Sequence, residues 1–329
     1  MLQNEEGELM QEKQKVAQIV YKPKKMKLTN PKQLQLQSFA LIGVVFLLIF
    51  NYLPMFGIML AFKDGDNQLN IMNAITRSQW VGFRNFENFL KDKNFLDIMW
   101  NTIGLNLIQL LINFPSPIIF ALLLNEIPHG KSRKFIQSTA VFPHFLSWVM
   151  YGGIVIALIN MDNGILNDLL LRLKLVEQPV NMKGDPDYFW GLIVVTSLLK
   201  GIGWGSIIYL AAIATIDNTM YEAAALDGAN RWQKIWYITL PAIAPTITLF
   251  LLMSLSGLLN SGVDHIMVFQ NYNNLKRSEV IDTYVLKWGL KNFQYSTATA
   301  IGLFKSVVGI ILLTTSNFIS KKTTGRGIF

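Results

Sequence analysis

Few residues in this chain are arranged for catalysis. The three histidines, His129, His144 and His265, are far apart and form no metal-ligand spacing. No His-Glu-x-x-His occurs, and cysteine is absent, which excludes a disulfide framework and cysteine metal sites. Gly130-Lys131-Ser132 has the ending of a phosphate-binding loop. The first glycine of such a loop would fall at Asn125, however, and no strand–loop–helix setting surrounds it. The chain is therefore expected to hold no cofactor or metal, to bind no ATP itself and not to be an enzyme.

The strongest pattern suits mechanical work. Glu222-Ala223-Ala224, Asp227-Gly228 and Ile238-x-Leu240-Pro241 lie in a polar loop between two long apolar runs. Asn218 or Thr219 is placed to cap a short helix with Glu222 in its first turns, a favourable place for a carboxylate. Ala223, Ala224 and Ala225 favour helix and leave a narrow, smooth face. Gly228 accepts the left-handed conformation of a helix stop. Arg231 to Tyr237 then resumes a helix, with Trp232, Ile235 and Trp236 at the membrane surface. Pro241 opens the next apolar run, where proline is tolerated. Such a knob can pass motion to a partner.

The elements that position this loop follow from composition. Of 329 residues, 51% are hydrophobic and 15% charged, whereas soluble domains carry about 25% charged residues. A bilayer-spanning helix needs roughly 20 apolar residues. Six runs qualify: 38–62, 98–124, 135–159, 188–216, 242–263 and 298–319. The expected fold is an all-α integral membrane domain over residues 37–329, with six transmembrane helices. A polar leader, 1–36, precedes it. The first run is too long for a cleavable signal and is expected to remain as an anchor.

Lysine and arginine near the span ends set the orientation. With the N-terminus inside, the inner segments (1–37, 125–134, 217–241 and 320–329) hold 15 basic against 8 acidic residues. The outer segments (63–97, 160–187 and 264–297) hold 12 against 13. Both termini and the 217–241 loop are thus expected in the cytoplasm. The net charge of +8 reflects topology rather than nucleic-acid binding.

The outer segments are long and aromatic, with Trp80, Phe83, Phe86, Phe89 and Phe95 in one and Tyr272, Tyr284, Trp288, Phe293 and Tyr295 in another. They fit an interfacial belt, or docking of an outer partner and stacking on a sugar. Within the spans, Pro115 and Pro117 predict a kink. Gly201-x-Gly203-x-Gly205 predicts close helix packing or a hinge. Lys200 and Lys305 are the charges in the apolar runs; Lys305 could snorkel to the interface or face a path. No Asp or Glu falls inside the six runs, which disfavours an ion-coupled secondary transporter. Candidate substrate contacts are the polar or aromatic residues Trp204, Ser256, Asn260, Ser261 and Lys305. His144 is expected to pack rather than to bind a ligand.

The 222–241 segment resembles the EAA loop of permease subunits of binding-protein-dependent ABC importers. Glu222, the alanine pair, Asp227, Gly228, Ile238, Leu240 and Pro241 all match. Asn51-Tyr52-x-Pro54-Met55, Val81-Gly82-Phe83-x-Asn85-Phe86, Phe114-Pro115-x-Pro117, Leu122-Leu123-Leu124-Asn125-Glu126 and Pro143-His144-Phe145-Leu146-Ser147-Trp148 are similar to the oligosaccharide and polysaccharide permeases of Gram-positive bacteria. The resemblance runs from about Leu36 to Phe329. It implies a type I importer fold in a bacterial plasma membrane, with a coupling helix that sits in a cleft of a cytoplasmic ATPase. Glu222, Ala223, Ala224, Asp227, Gly228, Arg231, Leu240 and Pro241 would carry that coupling. It further implies a second permease, two ATPase subunits that hold ATP and Mg, an extracellular solute-binding lipoprotein and an oligosaccharide substrate. A non-sugar solute such as a peptide is the alternative.

Overall fold

The computed structural model describes residues 31–128, 130–325 and 327. Leader residues 1–30 and His129 lie outside them. Among the described residues every regular element is helical, and the one β feature is an isolated bridge between Lys63 and Trp80. Five helices are long and apolar enough to cross a bilayer: Leu34–Phe62, Phe95–Glu126, Pro186–Ile213, Arg231–Ser256 and Tyr295–Lys322. A sixth crossing exists if the bent pair Lys131–Phe145 and Trp148–Leu158 is one span.

The chain divides into two units, Met1–Phe56 and Gly57–Phe329. In the first, helix Pro31–Leu47 passes into a π-turn over Leu48–Tyr52. Phe39, Ile42, Phe46 and Phe50 are exposed, as expected of a helix whose apolar surface meets lipid instead of a protein core. The π-turn directly precedes Pro54. Proline brings no N–H to the ladder, and the helix re-registers so that Leu53 N–H reaches the Leu48 carbonyl. In the second unit the same device recurs at Ile235–Thr239 ahead of Pro241, where Leu240 N–H reaches the Ile235 carbonyl.

The second unit is organised around helix Pro186–Ile213. Asp185 caps it by accepting from the Asp187 amide at 2.9 Å. One buried cluster joins its Phe189, Ile193 and Val194 to Leu105, Ile266 and Phe269. A second, at its other end, joins Tyr209 and Ile213 to Ile118 and Ile243. The outer segments are structured. Phe89, Ile98, Leu259, Ile281, Tyr284 and Ile301 form a third cluster, so Phe89 and Tyr284 are core residues, while Trp80, Phe83 and Tyr272 are exposed. Asp66 caps the last helix from a distance. Its carboxylate accepts from the Ser296 amide at 2.7 Å and the Thr297 hydroxyl at 2.7 Å.

Three expectations about the spans need correction. The run 135–159 is not a straight helix; it bends by 107° between Phe145 and Trp148. Ser147 starts the second arm, its hydroxyl accepting from the Met150 amide at 3.2 Å. The carbonyls freed at the bend are taken by Lys200, whose Nζ donates to Pro143, His144 and Leu146 at 2.9, 2.8 and 2.6 Å. The fifth helix ends at Ser256 rather than near 263. Asn260 and Ser261 therefore sit in a non-helical stretch between Gly257 and Gly262, the latter at φ +77°. The glycine triplet packs closely through Gly203 and Gly205 rather than through Gly201, a Cβ on Gly205 falling 3.0 Å from Pro117. A Cβ on Gly203 would lie 2.2 Å from the backbone of Ala140, whereas Gly201 has open space. At the prolines the helix is interrupted at Phe114, between Phe95–Asn113 and Pro115–Glu126, and the two pieces together form one candidate span.

Candidate functional site

The loop knob is built almost wholly from near neighbours in sequence. Helix Asn218–Leu226 is capped by Asp217, not by Asn218 or Thr219: its carboxylate accepts from the Thr219 amide at 2.9 Å. That bond holds the Asp217 carboxyl below its ordinary pKa. The helix stops in a Schellman motif. Ala229 N–H bonds the Ala224 carbonyl at 2.8 Å and Gly228 N–H bonds Ala225 at 3.1 Å, with Gly228 at φ +80°. A capping box then starts helix Arg231–Lys234, with Asn230 and Gln233 exchanging bonds at 2.7 and 2.9 Å. Tyr221 ties the knob to the base of the fifth span through the Thr239 hydroxyl at 2.9 Å.

The result is an exposed rim around a shallow hollow. Glu222, Ala223, Asp227, Gly228 and Arg231 are exposed, and Leu226 is 90% exposed. Ala224, Asp227, Gly228 and Tyr237 line a hollow of about 270 Å³. Leu240 turns inward onto the Tyr209–Ile243 cluster, and Pro241 opens the span at its first turn. Arg231 approaches Glu126 at 3.9 Å, which joins the loop to the end of the second span.

The five candidate substrate residues separate in space. Ser256, Asn260 and Lys305 line one cavity of about 400 Å³ between the fifth and sixth spans. Ser261 lies buried behind it, its hydroxyl accepting from Asn106 Nδ2 at 2.9 Å and its amide donating to Asp282 at 2.7 Å. Lys305 does not snorkel: it is ion-paired to Asp282, with side chains 13% and 17% exposed. The carboxylate comes from the outer segment, which is why the apolar runs themselves contain none. Trp204 lines neither this cavity nor its neighbour. It stacks on His144 with ring centroids 4.5 Å apart. His144 thus packs as expected, and His265 likewise is buried against Trp148 at 3.8 Å.

Three residues of this region escaped the sequence reading. Asn106, Gln109 and Asn113 face a second cavity of about 350 Å³, which also meets Asn260. Asn113 donates to Ser197 at 2.6 Å, while its own carbonyl oxygen is buried without a partner among the described residues. Their spacing of three and four was a legible signal, since it places three amides on one face of an apolar helix. No group of three or more His, Cys, Asp or Glu residues able to hold a metal occurs among the described residues.

Comparison with known proteins agrees with this geometry. Residues 94–324 match the family model described as the binding-protein-dependent transport system inner membrane component. Protein LplB of Bacillus subtilis (strain 168) is 40% identical over 287 residues, covering 87% of this chain and 88% of that one. The polygalacturonan/rhamnogalacturonan transport system permease protein YteP of the same organism is 36% identical, covering 94% and 96%. Among solved structures, a bacterial ABC transporter involved in the import of the acidic polysaccharide alginate contains a chain of TM-score 0.80 and 33% identity, covering 89% of this chain and 97% of that one. A chain of bacterial alginate ABC transporter in complex with an alginate pentasaccharide-bound periplasmic protein also scores 0.80, at 32% identity.

Proposed function

We propose, from the premise that this chain belongs to the inner membrane components of binding-protein-dependent transport systems, that its cargo is an oligosaccharide. The chain is a multi-pass cell-membrane permease subunit of an ABC importer that works with a binding protein, and it is not itself an enzyme. Its further partners are a second, similar permease that completes the path, two cytoplasmic ATPases that hold ATP and Mg, and an extracellular lipoprotein that delivers the sugar.

The observation that carries the reading is a set of amides and hydroxyls within the apolar helices and in the non-helical stretch after Ser256. Asn106, Gln109, Asn113 and Asn260 meet at one cavity, and Asn260 is shared with the cavity of Ser256 and Lys305. A saccharide needs many neutral donors and acceptors along its route, and such groups are costly in a membrane unless they line a cavity. The relatives named for polygalacturonan and alginate support the same cargo class. ATP-driven movement enters at the other end. The knob formed by Glu222, Ala223, Ala224, Asp227 and Gly228 offers the ATPase a rigid grip, and Leu240-Pro241 passes its displacement into the fifth span.

The test is uptake by the assembled transporter in proteoliposomes. Alanine at Asn106, Asn113, Ser256 and Asn260, each alone, should lower saccharide uptake while the four-part complex still assembles. Unchanged uptake across all four would remove the proposed path. Altering Glu222 and Gly228 should uncouple ATP hydrolysis from uptake; a carrier that kept transporting would not be ATP-driven.

A further inference from the structure

The fifth span stops at Ser256, and the chain resumes a helix only at Val263. Residues 257–262 join the two helices outside any helix. They begin and end on glycine, and Gly262 stands at φ +77°, a conformation that side chains rarely adopt. Such short connections at helix ends absorb the backbone rotation when helices shift. Among the described residues, Asn260 is the one that lines both cavities of the path. Rotation of this stretch therefore moves a side chain that the two cavities share.

The stretch is nevertheless fastened. Leu259 is buried in the cluster with Ile98, Ile281, Tyr284 and Ile301. Ser261 is held twice: Asn106 Nδ2 donates to its hydroxyl at 2.9 Å, and its own amide donates to Asp282 Oδ2 at 2.7 Å. The other oxygen of Asp282 pairs with Lys305 of the sixth span. One carboxylate thus ties the connecting stretch to the last helix. It stands on helix Ile281–Leu286, which is fixed in turn, since the Ile281 amide donates to the Thr102 hydroxyl of the second span at 2.9 Å. The ion pair is largely withdrawn from water, where charges are weakly screened and their attraction is strong. The knob lies at the opposite end of the fifth span and is exposed. A push there meets a helix whose far end is held, so the helix must turn about its fastening.

We propose that Asp282 is a positioning residue for transport. Through Ser261 and Lys305 it fastens residues 257–262 as a pivot, about which the fifth span turns and Asn260 swings between the two cavities. Asp282 itself touches no cargo. Without the tie the span still moves, but its end drifts with it and Asn260 makes no defined swing. The consequence for cargo rests on the reading of the two cavities as its path; the pivot itself does not require that the cargo be a sugar.

The test measures distance across the pivot in the complete transporter, with the second permease, the ATPases and the binding protein. The chain contains no cysteine, so cysteines placed at Met253 and Met267 are the only labelling sites on this subunit. Both residues are exposed and they flank the stretch. Spin labels there are compared without nucleotide and after trapping with ATP and vanadate, at equal amounts of trapped nucleotide. The otherwise unaltered chain should give one distance in each condition and a resolved shift between them. Lys305→Met/Asp282→Asn, which removes both charges together, should assemble yet lose the shift, giving one broad distribution in both conditions. Asp282→Asn alone, which leaves Lys305 at the wall of its cavity, is the second variant and should lose the shift likewise. Lys305→Arg, which keeps the ion pair, should retain it. Absence of a shift in the unaltered chain overturns the pivot. A normal shift in whichever neutralised variant assembles overturns the role of Asp282 and leaves it a purely structural residue. A resolved shift in a transporter whose binding protein delivers only a non-sugar solute removes the oligosaccharide reading and leaves the pivot standing.

Discussion

The knob at residues 217–241 and the cavities among the spans are made in opposite ways. Every capping bond of the knob joins residues within about one turn of each other: Asp217 with Thr219, Ala224 with Ala229, Asn230 with Gln233. The cavity walls are joined across the whole chain: Asn106 with Ser261, Asn113 with Ser197, and the Lys305–Asp282 pair with the Ser261 amide. A device that must transmit force gains from local rigidity, since its shape then survives movement of the spans. A passage that must open and close is better assembled from several helices, because their relative shifts can alter it. Damage should accordingly separate into two kinds. Cavity changes should act on folding and on cargo, and knob changes on coupling with little effect on folding.

The largest expected effect is at the helix crossing beneath the cavities. Gly203→Val places side-chain atoms inside the 2.2 Å approach to Ala140 and should abolish accumulation of folded protein in membranes. Gly201→Ala, two residues away in open space, should be tolerated. Next is the buried ion pair. Lys305→Met leaves Asp282 uncompensated and should cost about 3–5 kcal/mol, read as a lowered unfolding midpoint in detergent. Adding Asp282→Asn, which removes the charge but keeps an acceptor for the Ser261 amide, should recover most of that loss, and failure to recover would show that the pair is not the cause.

Lys200→Met comes third. It strips the His144 and Leu146 carbonyls at the Phe145–Trp148 bend of their donor, while the Pro143 carbonyl keeps the Leu146 amide, at about 1–3 kcal/mol for each group left unsatisfied. The loss should appear as faster proteolysis of that bend. The smallest stability effect belongs to the knob. Gly228→Ala forces a side chain into φ +80°, costing about 1–2 kcal/mol. The unfolding midpoint should barely move, while uptake per ATP hydrolysed falls several-fold. A large drop in midpoint there would erase the contrast between the two regions.

How much was legible in the sequence follows the same division. The knob could be read because Gly228 and Pro241 act on their immediate neighbours, whereas the Asn230–Gln233 capping box was not read. Even there the cap moved from Asn218 or Thr219 to Asp217, since several side chains in a row could accept the same amide. The long apolar helices were legible for a similar reason, being properties of runs of residues, although one of the six runs is a bent pair. The bend at Phe145–Trp148 was hidden inside an apolar run. Nothing local says that a lysine some 55 positions onward will accept the burden of its free carbonyls. The Trp204–His144 stack and the lysine–aspartate pair were hidden likewise.

The sequence by itself determined that this is a helical membrane protein and where its patterned loop between two spans lies. Those properties depend on hydropathy, charge and backbone preference, and each acts over a few residues at a time. Only the tertiary structure decided which polar residues meet. It separated Trp204 from Ser256, Asn260 and Lys305, brought Asn106 to Ser261 and set Asp282 between Ser261 and Lys305. Those pairings depend on how distant helices cross, and the crossings are set by packing at points such as Gly203, where the absence of one methyl group lets two backbones touch.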